Sequence, residues 1–202
     1  MIKAVLFDYG GVIAEGGKPG MLSNNLAVRL EVPNERAVTL LEYGFDKIKR
    51  GLIDEDEFWR ILEKAHGTPI PDSKRDIWMK WEDIIPIDEV MNLRKSLQSR
   101  GIATGILSNV EPVVAKTLHD HGAYADFEPL VLSCEVGYAK PDREIYELAI
   151  SKLGELKPSE ILFIDDQEKM LAPARELGMQ VLLAQATDQL IADVEALIRA
   201  SA

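Results

Sequence analysis

Hydrophobic residues are concentrated in short runs of strand length along this chain. The runs rich in branched residues are "IKAVLFD" (2–8), "IATGILSN" (102–109), "PLVLS" (129–133), "EILFIDD" (160–166) and "MQVLLA" (179–184). From the second run onward, consecutive runs are separated by helical spacing or by a loop with room for a helix. This alternation predicts βα units and a mostly parallel sheet with helices on both faces, which is an α/β fold with a Rossmann-like sheet.

Apolar residues with helical spacing lie between these runs. They predict helices over residues 111–121, 142–153, 168–177 and 188–200. Gly154 and Gly178 follow two of these segments, at positions where glycine commonly ends a helix. The second half of the chain is therefore predicted to alternate between strands and helices.

The pattern changes between residues 15 and 85. No strand-like run occurs there, and helical spacing is found over 22–31, 34–51, 54–67 and 72–84. All three tryptophans, Trp59, Trp78 and Trp81, fall in this segment. We expect most of them to pack a small helical bundle, and the alternative is that one aromatic residue lines a pocket facing the sheet.

Glycine and proline mark the two places where the chain would cross between the sheet and this helical segment. They are the stretch "GGKPG" at 16–20 and the turn around Pro86. The sequence thus predicts a catalytic core formed by residues 1–14 and 86–202, with residues 15–85 inserted as an all-helical cap.

Composition restricts the classes of partner. The 202 residues are 47% hydrophobic and 28% charged, and the net charge of −11 argues against a broad surface for nucleic acid or anionic membranes. The apolar runs are too short to span a bilayer and the first residues do not resemble a signal peptide, so we expect a cytoplasmic protein. Cys134 is the only cysteine, which excludes an internal disulfide and a cysteine-based zinc site. The sequence does not indicate an oligomeric state.

Polar side chains stand where the apolar runs end. They are Asp8, Ser108, Asn109, Asp165 and Asp166, and Lys140 follows the third run in the loop "EVGYAKPD". The carboxyl ends of parallel strands meet at one edge of a sheet, which is where ligands bind in such folds. Carboxylate oxygens suit Mg²⁺, and a hydroxyl and an ammonium suit a phosphoryl group. The pattern predicts a site for both, whereas each residue alone would be an ordinary cap or turn residue.

The ordered set "VLFDYGGV", "GILSN", "EVGYAKPDREIYELA" and "ILFIDD" resembles the four motifs of the haloacid dehalogenase-like hydrolase superfamily. The resemblance covers nearly the whole chain, including a helical cap inserted after the first motif. It implies that Asp8 is a nucleophile that forms an aspartyl-phosphate intermediate. It also implies that Ser108 hydrogen-bonds the transferring phosphoryl group and that Lys140 neutralises its charge and keeps Asp8 ionised.

The same resemblance assigns a metal site and a substrate-binding site. Mg²⁺ would be held by Asp8, by Asp166, by Asp165 directly or through water, and by the backbone carbonyl of Gly10. Asn109, Gly10 and Gly11 would lie against the substrate, and Asn109 would also organise its loop. The expected substrate is a small phosphorylated metabolite.

The chain departs from the family pattern at two positions. Most phosphatases of the family carry a second Asp two residues after the nucleophile, as a general acid and base, where this chain has Gly10. Losing such a group typically costs about 10²–10⁴-fold in rate. The family also often has an Asn shortly after the paired acids, where this chain has Met170. Glu111 lies just beyond the second motif, and its side chain either begins a helix or replaces the missing acid.

Three functions agree with these features, and we favour the first. It is a Mg²⁺-dependent phosphatase whose substrate needs little acid assistance, such as a sugar 1-phosphate or an acyl phosphate. The second is a metal-independent 2-haloacid dehalogenase, because a departing halide needs no proton; against it, such enzymes usually have Tyr in place of Gly10 and a less acidic fourth motif. The third is a catalytically weak binding or regulatory protein that keeps the fold.

Overall fold

A five-stranded parallel sheet forms the centre of the protein in the computed structural model, which describes residues 1–16 and 20–201. The strands in chain order are β1 (Ala4–Phe7), β2 (Ala14–Glu15), β3 (Ile85–Pro86), β4 (Ala103–Ser108), β5 (Leu130–Leu132), β6 (Ile161–Asp165) and β7 (Gln180–Leu183). The order across the sheet is β5-β4-β1-β6-β7, and β2 and β3 form a separate antiparallel ribbon. The predicted α/β fold with a Rossmann-like parallel sheet is confirmed.

The α-helices are α1 (Met21–Leu30), α2 (Asn34–Glu42), α3 (Phe45–Lys49), α4 (Glu55–His66), α5 (Asp88–Ser99), α6 (Pro112–Asp120), α7 (Ser133–Val136), α8 (Arg143–Lys152), α9 (Glu168–Glu176) and α10 (Thr187–Ser201). The four helices predicted after residue 110 correspond to α6, α8, α9 and α10 to within a residue or so at each end. Helix α5 is not among the helices predicted from the sequence. None of the described helices combines the length and the apolar character needed to cross a membrane.

Helices cover both faces of the sheet because side chains alternate along each strand. On β1, Val5 and Phe7 join the apolar cluster that includes residues of α5 and α10, whereas Ala4 and Leu6 join the cluster that includes residues of α8 and α9. All four are fully buried, as expected for the central strand of a parallel sheet. The core therefore lies on the two faces of the sheet, on either side of β1.

The helix predicted over residues 72–84 is absent, so this prediction is wrong. The segment contains two short 3₁₀ turns, Asp72–Lys74 and Trp81–Asp83. Side chains of α1 bind its backbone in between: Arg29 Nε donates to the carbonyl of Asp76 and Asn25 Nδ2 donates to that of Ile77. These two carbonyls accept hydrogen bonds from side chains of α1 and not from amides of a helix within the segment. Tertiary contacts have therefore overridden the helical preference of the local sequence.

The helix predicted over residues 34–51 is interrupted. Helix α2 ends at Glu42 and α3 begins at Phe45. Between them, Gly44 lies against the Phe58 ring so closely that a Cβ atom would come 3.0 Å from Cδ2 of Phe58. Contact with α4 therefore accounts for the break, whereas the periodicity alone predicts an uninterrupted helix.

The ribbon of β2 and β3 lies where the chain leaves the sheet and returns to it. Ala14 pairs with Pro86 and Glu15 pairs with Ile85. We call residues 15–85 the cap segment, and its division from the core at these positions stays a prediction. Of the crossing predicted at 16–20, residues 17–19 lie outside the described residues.

Gly105→Ala is expected to lower the free energy of unfolding by about 1–3 kcal/mol, the usual cost of overpacking a core. A Cβ atom on Gly105, in β4, would lie 2.5 Å from the carbonyl oxygen of Pro129 and 2.9 Å from Cδ2 of Leu6. Urea unfolding monitored by circular dichroism measures this change. Gly10→Ala is the control, because among the described residues a Cβ atom there would meet only the Gly16 carbonyl oxygen, at 3.7 Å. Equal unfolding midpoints for the two variants would contradict the packing argument.

Candidate active site

The register of the sheet brings three polar residues to one edge. Strand β1 lies between β4 and β6, and all three run in the same direction. Ser108 ends β4, Asp165 ends β6, and Asp8 immediately follows β1, where its N–H donates to the carbonyl of Ile164 (2.8 Å). The sequence argument that these strand ends converge is therefore supported by the geometry.

One oxygen of the Asp8 carboxylate is held by two donors. Ser108 Oγ donates to Asp8 Oδ1 at 2.7 Å, and Lys140 Nζ lies 3.0 Å from the same oxygen. Asp8 is 8% exposed, and among the described residues no hydrogen bond reaches its Oδ2. The carboxylate is thus fixed through one oxygen, which leaves the other free to react.

Lys140 is buried between two carboxylates. Its ammonium donates to Asp165 Oδ2 at 2.5 Å as well as contacting Asp8. Burial alone would lower the pKa of Lys140, but the charges of Asp8 and Asp165 raise it above its ordinary value. Burial raises the pKa of Asp165 above its ordinary value, against the opposing effect of the Lys140 ammonium.

Asn109 fixes the backbone of Lys140. Its Nδ2 donates to the carbonyl of Lys140 and its Oδ1 accepts from the Lys140 N–H, both at 2.8 Å. Because both ends of the amide are used, the geometry favours the loop-organising role predicted for Asn109. Its direct contact with substrate stays a prediction.

Three carboxylates are placed where they could share a cation. Asp8, Asp165 and Asp166 each offer an oxygen within 4.8 Å of the others. Both oxygens of Asp165 already accept hydrogen bonds, from Lys140 and from the N–H of Gln167 (2.9 Å). Within the described part of the chain, Asp166 accepts only a long bond, 3.3 Å, from the Gln167 side chain. Asp166 is therefore the more available ligand, and Asp165 is better placed to orient the others.

The glycines after Asp8 contribute space and backbone atoms. Gly11 has a φ of 79°, and a Cβ atom there would lie 2.6 Å from Oδ2 of Asp166. Glycine is thus required for Asp166 to occupy its position. The N–H of Gly11 donates to the Ala14 carbonyl, whereas neither backbone group of Gly10 makes a backbone hydrogen bond within residues 1–16 and 20–201. Gly10 can therefore offer its N–H and its carbonyl to a ligand.

A cavity of about 1070 Å³ opens beyond these groups, between the strand ends and the cap segment. Glu111, Tyr9 and Tyr124 line it together with Asp8. Burial raises the pKa of the Glu111 carboxyl and raises that of Tyr9 to about 12. Burial also raises the pKa of Tyr124, whose hydroxyl is buried without a hydrogen-bond partner in the described part of the chain.

The sequence analysis did not identify Tyr9 or Tyr124 as lining residues. Tyr9 adjoins Asp8, the nucleophile that the resemblance implies, and was identifiable on that ground, but "HGAYADF" around Tyr124 carries no comparable signal. Of the tryptophans, Trp59 is buried in the core of the cap segment and Trp78 lines the cavity, so both roles expected for these residues occur. Trp81 stacks on His121 with ring centroids 4.2 Å apart.

The cap segment is bonded to the loops that carry the site. Ser133 Oγ accepts from the N–H of Val110, in the loop after β4, and donates to the carbonyl of Lys49 at the end of α3 (2.7 Å). Arg50 forms an ion pair with Asp142, which lies two residues after Lys140. These contacts connect the end of α3 with the loops that hold Ser108 and Lys140.

Two further residues were named in the sequence analysis, Met170, which lines the cavity, and Cys134, which is not among its lining residues. The Met170 carbonyl accepts a hydrogen bond from the Tyr146 hydroxyl (2.7 Å). At this position, where the family often has Asn, the contact is therefore made by the backbone and not by the side chain. Cys134 is half-buried, and burial raises the pKa of its thiol to about 12. It is therefore protonated at neutral pH and is a weak nucleophile.

Comparison with known proteins identifies the family. The model of haloacid dehalogenase-like hydrolases matches residues 2–178. The chain is 28% identical to D-ribitol-5-phosphate phosphatase of Bacteroides thetaiotaomicron, over 89% of this chain and 90% of that protein. It is also 28% identical to acyl-CoA dehydrogenase family member 10 of Mus musculus, over 97% of this chain but 19% of that protein, so it spans about a fifth of that relative's length.

A solved structure agrees with this match. The crystal structure of a HAD family enzyme from Bacteroides thetaiotaomicron, in complex with magnesium and inorganic phosphate, superposes with a TM-score of 0.73 at 27% identity, covering 92% of this chain and 96% of that one. The resemblance stated from the four motifs is thereby confirmed, and the chain belongs to the haloacid dehalogenase-like hydrolases.

Proposed function

We propose that this hydrolase is a Mg²⁺-dependent phosphatase that transfers the phosphoryl group of a small phosphorylated metabolite to Asp8 and then to water. The observation that supports it most directly is the Asp8 carboxylate, which is fixed by Ser108 and Lys140 through one oxygen and lies beside two further carboxylates. The relative named as a D-ribitol-5-phosphate phosphatase and the HAD enzyme bound to magnesium and phosphate support the same reaction class.

The donor set fits Mg²⁺. Asp8, Asp166 and the free carbonyl of Gly10 are hard oxygen ligands, and Asp165 would hold this set in position. Carboxylates without thiol or imidazole partners favour Mg²⁺ over Zn²⁺. When bound, Mg²⁺ would offset the negative charge of the phosphoryl oxygens and hold them for attack.

The residues divide the reaction into two steps. In the first, Asp8 Oδ2 forms a bond to phosphorus as the bond from phosphorus to the leaving oxygen breaks, and the leaving group departs with that electron pair and takes up a proton. In the second, water attacks the phosphorus of the acyl phosphate, which releases inorganic phosphate and regenerates the Asp8 carboxylate. Ser108 and Lys140 would stabilise the charge on the transferring oxygens in both steps.

The proton for the leaving group cannot come from the side chain of residue 10, because that residue is glycine. Glu111 is the candidate donor that lines the same cavity, and burial favours its protonated form. A carboxyl with a raised pKa stays protonated to higher pH, which is the state required of a general acid. A substrate with a good leaving group, such as a sugar 1-phosphate or an acyl phosphate, would depend less on this proton, and that preference stays a prediction.

Asp8→Asn is expected to abolish phosphate release, because an amide cannot attack phosphorus. The measurement is inorganic phosphate released from a panel of phosphate esters and acyl phosphates, with Mg²⁺ and with EDTA. Asp72→Asn is the matched control, since Asp72 has a 96% exposed side chain in the cap segment. Release that persists in the Asp8 variant or in EDTA would contradict the proposal. Halide release from 2-haloacids without metal would support a dehalogenase, and neither activity in a folded protein would support a binding role.

Glu111→Gln is expected to remove the alkaline limb of the pH–rate profile. As pH rises through the pKa of Glu111, the wild-type acid loses its proton and the rate on alkyl phosphates falls, whereas glutamine has no proton to lose. Below that pKa the variant should be slower by about 10²-fold or more on alkyl phosphates and nearly unchanged on acyl phosphates. Steady-state rates between pH 5 and pH 9 on both substrate types test this expectation.

The control for Glu111→Gln is Glu135→Gln, an exposed glutamate that pairs with His119 and does not line the cavity. If Glu111→Gln keeps the wild-type rate and pH profile on alkyl phosphates, the leaving group acquires its proton elsewhere.

Gly10→Asp is expected to fold and to raise kcat on alkyl phosphates, by up to about 10²-fold, because it supplies a carboxyl where the family usually has one. Residues 1–16 and 20–201 leave room for it, since among them a Cβ atom at position 10 would meet no atom closer than the Gly16 carbonyl oxygen at 3.7 Å. Gly10→Asn, which has the same shape without an acidic proton, should give no gain. An equal change in both variants would contradict a role as acid.

A further inference from the structure

The wall of the cavity that faces the catalytic carboxylates is largely apolar. The apolar residues that the cap segment contributes are Leu22, Val38, Leu41, Phe45, Trp78 and Met79. On the core side, Val110, Val114 and Leu118 continue the same surface. The volume, about 1070 Å³, exceeds what a phosphoryl group alone requires and lies at the upper end of the range for small-molecule sites.

The polar residues that the cap segment contributes to the lining are either paired with neighbouring residues or exposed to water. Ser23 donates its hydroxyl hydrogen to the Gly20 carbonyl at 2.9 Å. Asp46 pairs with Lys49 at 3.1 Å and with Arg50 at 2.8 Å. Lys49 lines the cavity as well, and Glu15 and Glu42 are exposed lining residues. Within the described part of the cap segment, the polar lining groups are thus either paired with neighbours or exposed to water.

Trp78 adds to this apolar character although indole carries an N–H group. Its Nε1 donates to Glu55 Oε1 at 2.6 Å, and Glu55 does not line the cavity. The ring therefore presents carbon atoms to the cavity while its donor is used elsewhere. The polar lining residues of the core lie in two places. Lys169 and Thr187 belong to segments after β6 and β7, on the side where Asp166 lies, whereas Tyr9, Glu111 and Tyr124 lie near the ends of β1 and β4.

We propose that the group released by this phosphatase is an aliphatic or aromatic one, not a polyol; the inference rests on the proposed function. A sugar hydroxyl buried against this wall would lose its water without gaining a partner, which is costly. A methylene group in the same place gains from burial. An acyl phosphate with an aliphatic chain would pack against this wall and would also leave without a proton from residue 10. A sugar 1-phosphate would meet only the second of these requirements.

The test is a series of n-alkyl phosphates from ethyl to octyl, assayed with Mg²⁺ beside glucose 1-phosphate and ribitol 5-phosphate. The alcohols in the alkyl series differ little in acidity, so a trend along it reports contact with the chain and not leaving-group quality. We expect kcat/KM to rise by about threefold to fourfold for each methylene until the chain fills the cavity. The longer alkyl phosphates should exceed both sugar phosphates.

Two matched variants locate the contact. Val38, 44% exposed on α2, lines the cavity, whereas Val28, 76% exposed on α1, does not. Val38→Thr replaces a methyl group by a hydroxyl of the same shape and should lower kcat/KM for octyl phosphate by about threefold while leaving ethyl phosphate unchanged. Val28→Thr should change neither value.

Three results would overturn the inference. They are a flat dependence on chain length, a preference for the sugar phosphates, and equal effects of Val38→Thr and Val28→Thr. In each of them, Mg²⁺-dependent release that Asp8→Asn abolishes would leave the phosphatase proposal standing. If no phosphate compound is hydrolysed in a way that depends on Asp8, the proposed function fails and the inference fails with it.

Discussion

The ammonium of Lys140, buried between Asp8 and Asp165, is the interaction on which the rest of the site depends. At 2% exposure a lysine loses nearly all of its hydration, and two carboxylates crowded at one sheet edge would repel each other without a cation between them. The carboxylates are tolerable because the ammonium offsets their charge, and the ammonium is tolerable because they offset its charge. Removing Lys140 would leave buried carboxylates uncompensated, so the strand ends and the loop of Lys140 have to be held close together.

Much of the surrounding structure holds the strand ends and the loop of Lys140 in these relative positions. The Asn109 amide bonds both backbone groups of Lys140, which connects the loop after β4 to the loop that carries the cation. Gly11 leaves the space that Asp166 occupies. The parallel pairing of β1 with β4 and β6 then places Asp8 between the Ser108 hydroxyl and the paired acids. Preorganisation of this kind lets charged groups act on a phosphoryl group without first rearranging.

The sequence predicted the sheet and the polar strand ends because burial on two faces produces apolar runs, and a polar residue that ends such a run is conspicuous. It failed over residues 72–84, where helical periodicity is present but side chains of α1 take the backbone carbonyls of Asp76 and Ile77. Tyr124 was missed for a related reason. Its place in the cavity depends on tertiary packing against Tyr9, with ring centroids 5.3 Å apart, and not on any local pattern.

With glycine at position 10, a proton donated by Glu111 would come from the residue before α6, in a part of the core that contacts the cap segment. Glu111 follows Val110, whose N–H is bonded through Ser133 to the carbonyl of Lys49 at the end of α3. The charge of Lys49 also opposes the burial that raises the pKa of Glu111. A proton donor in this place would be positioned and tuned by the docked cap segment, whereas an acid at position 10 would be held by the core alone. Proton donation and enclosure of the leaving group would then depend on the same contact, because the apolar wall belongs to that segment.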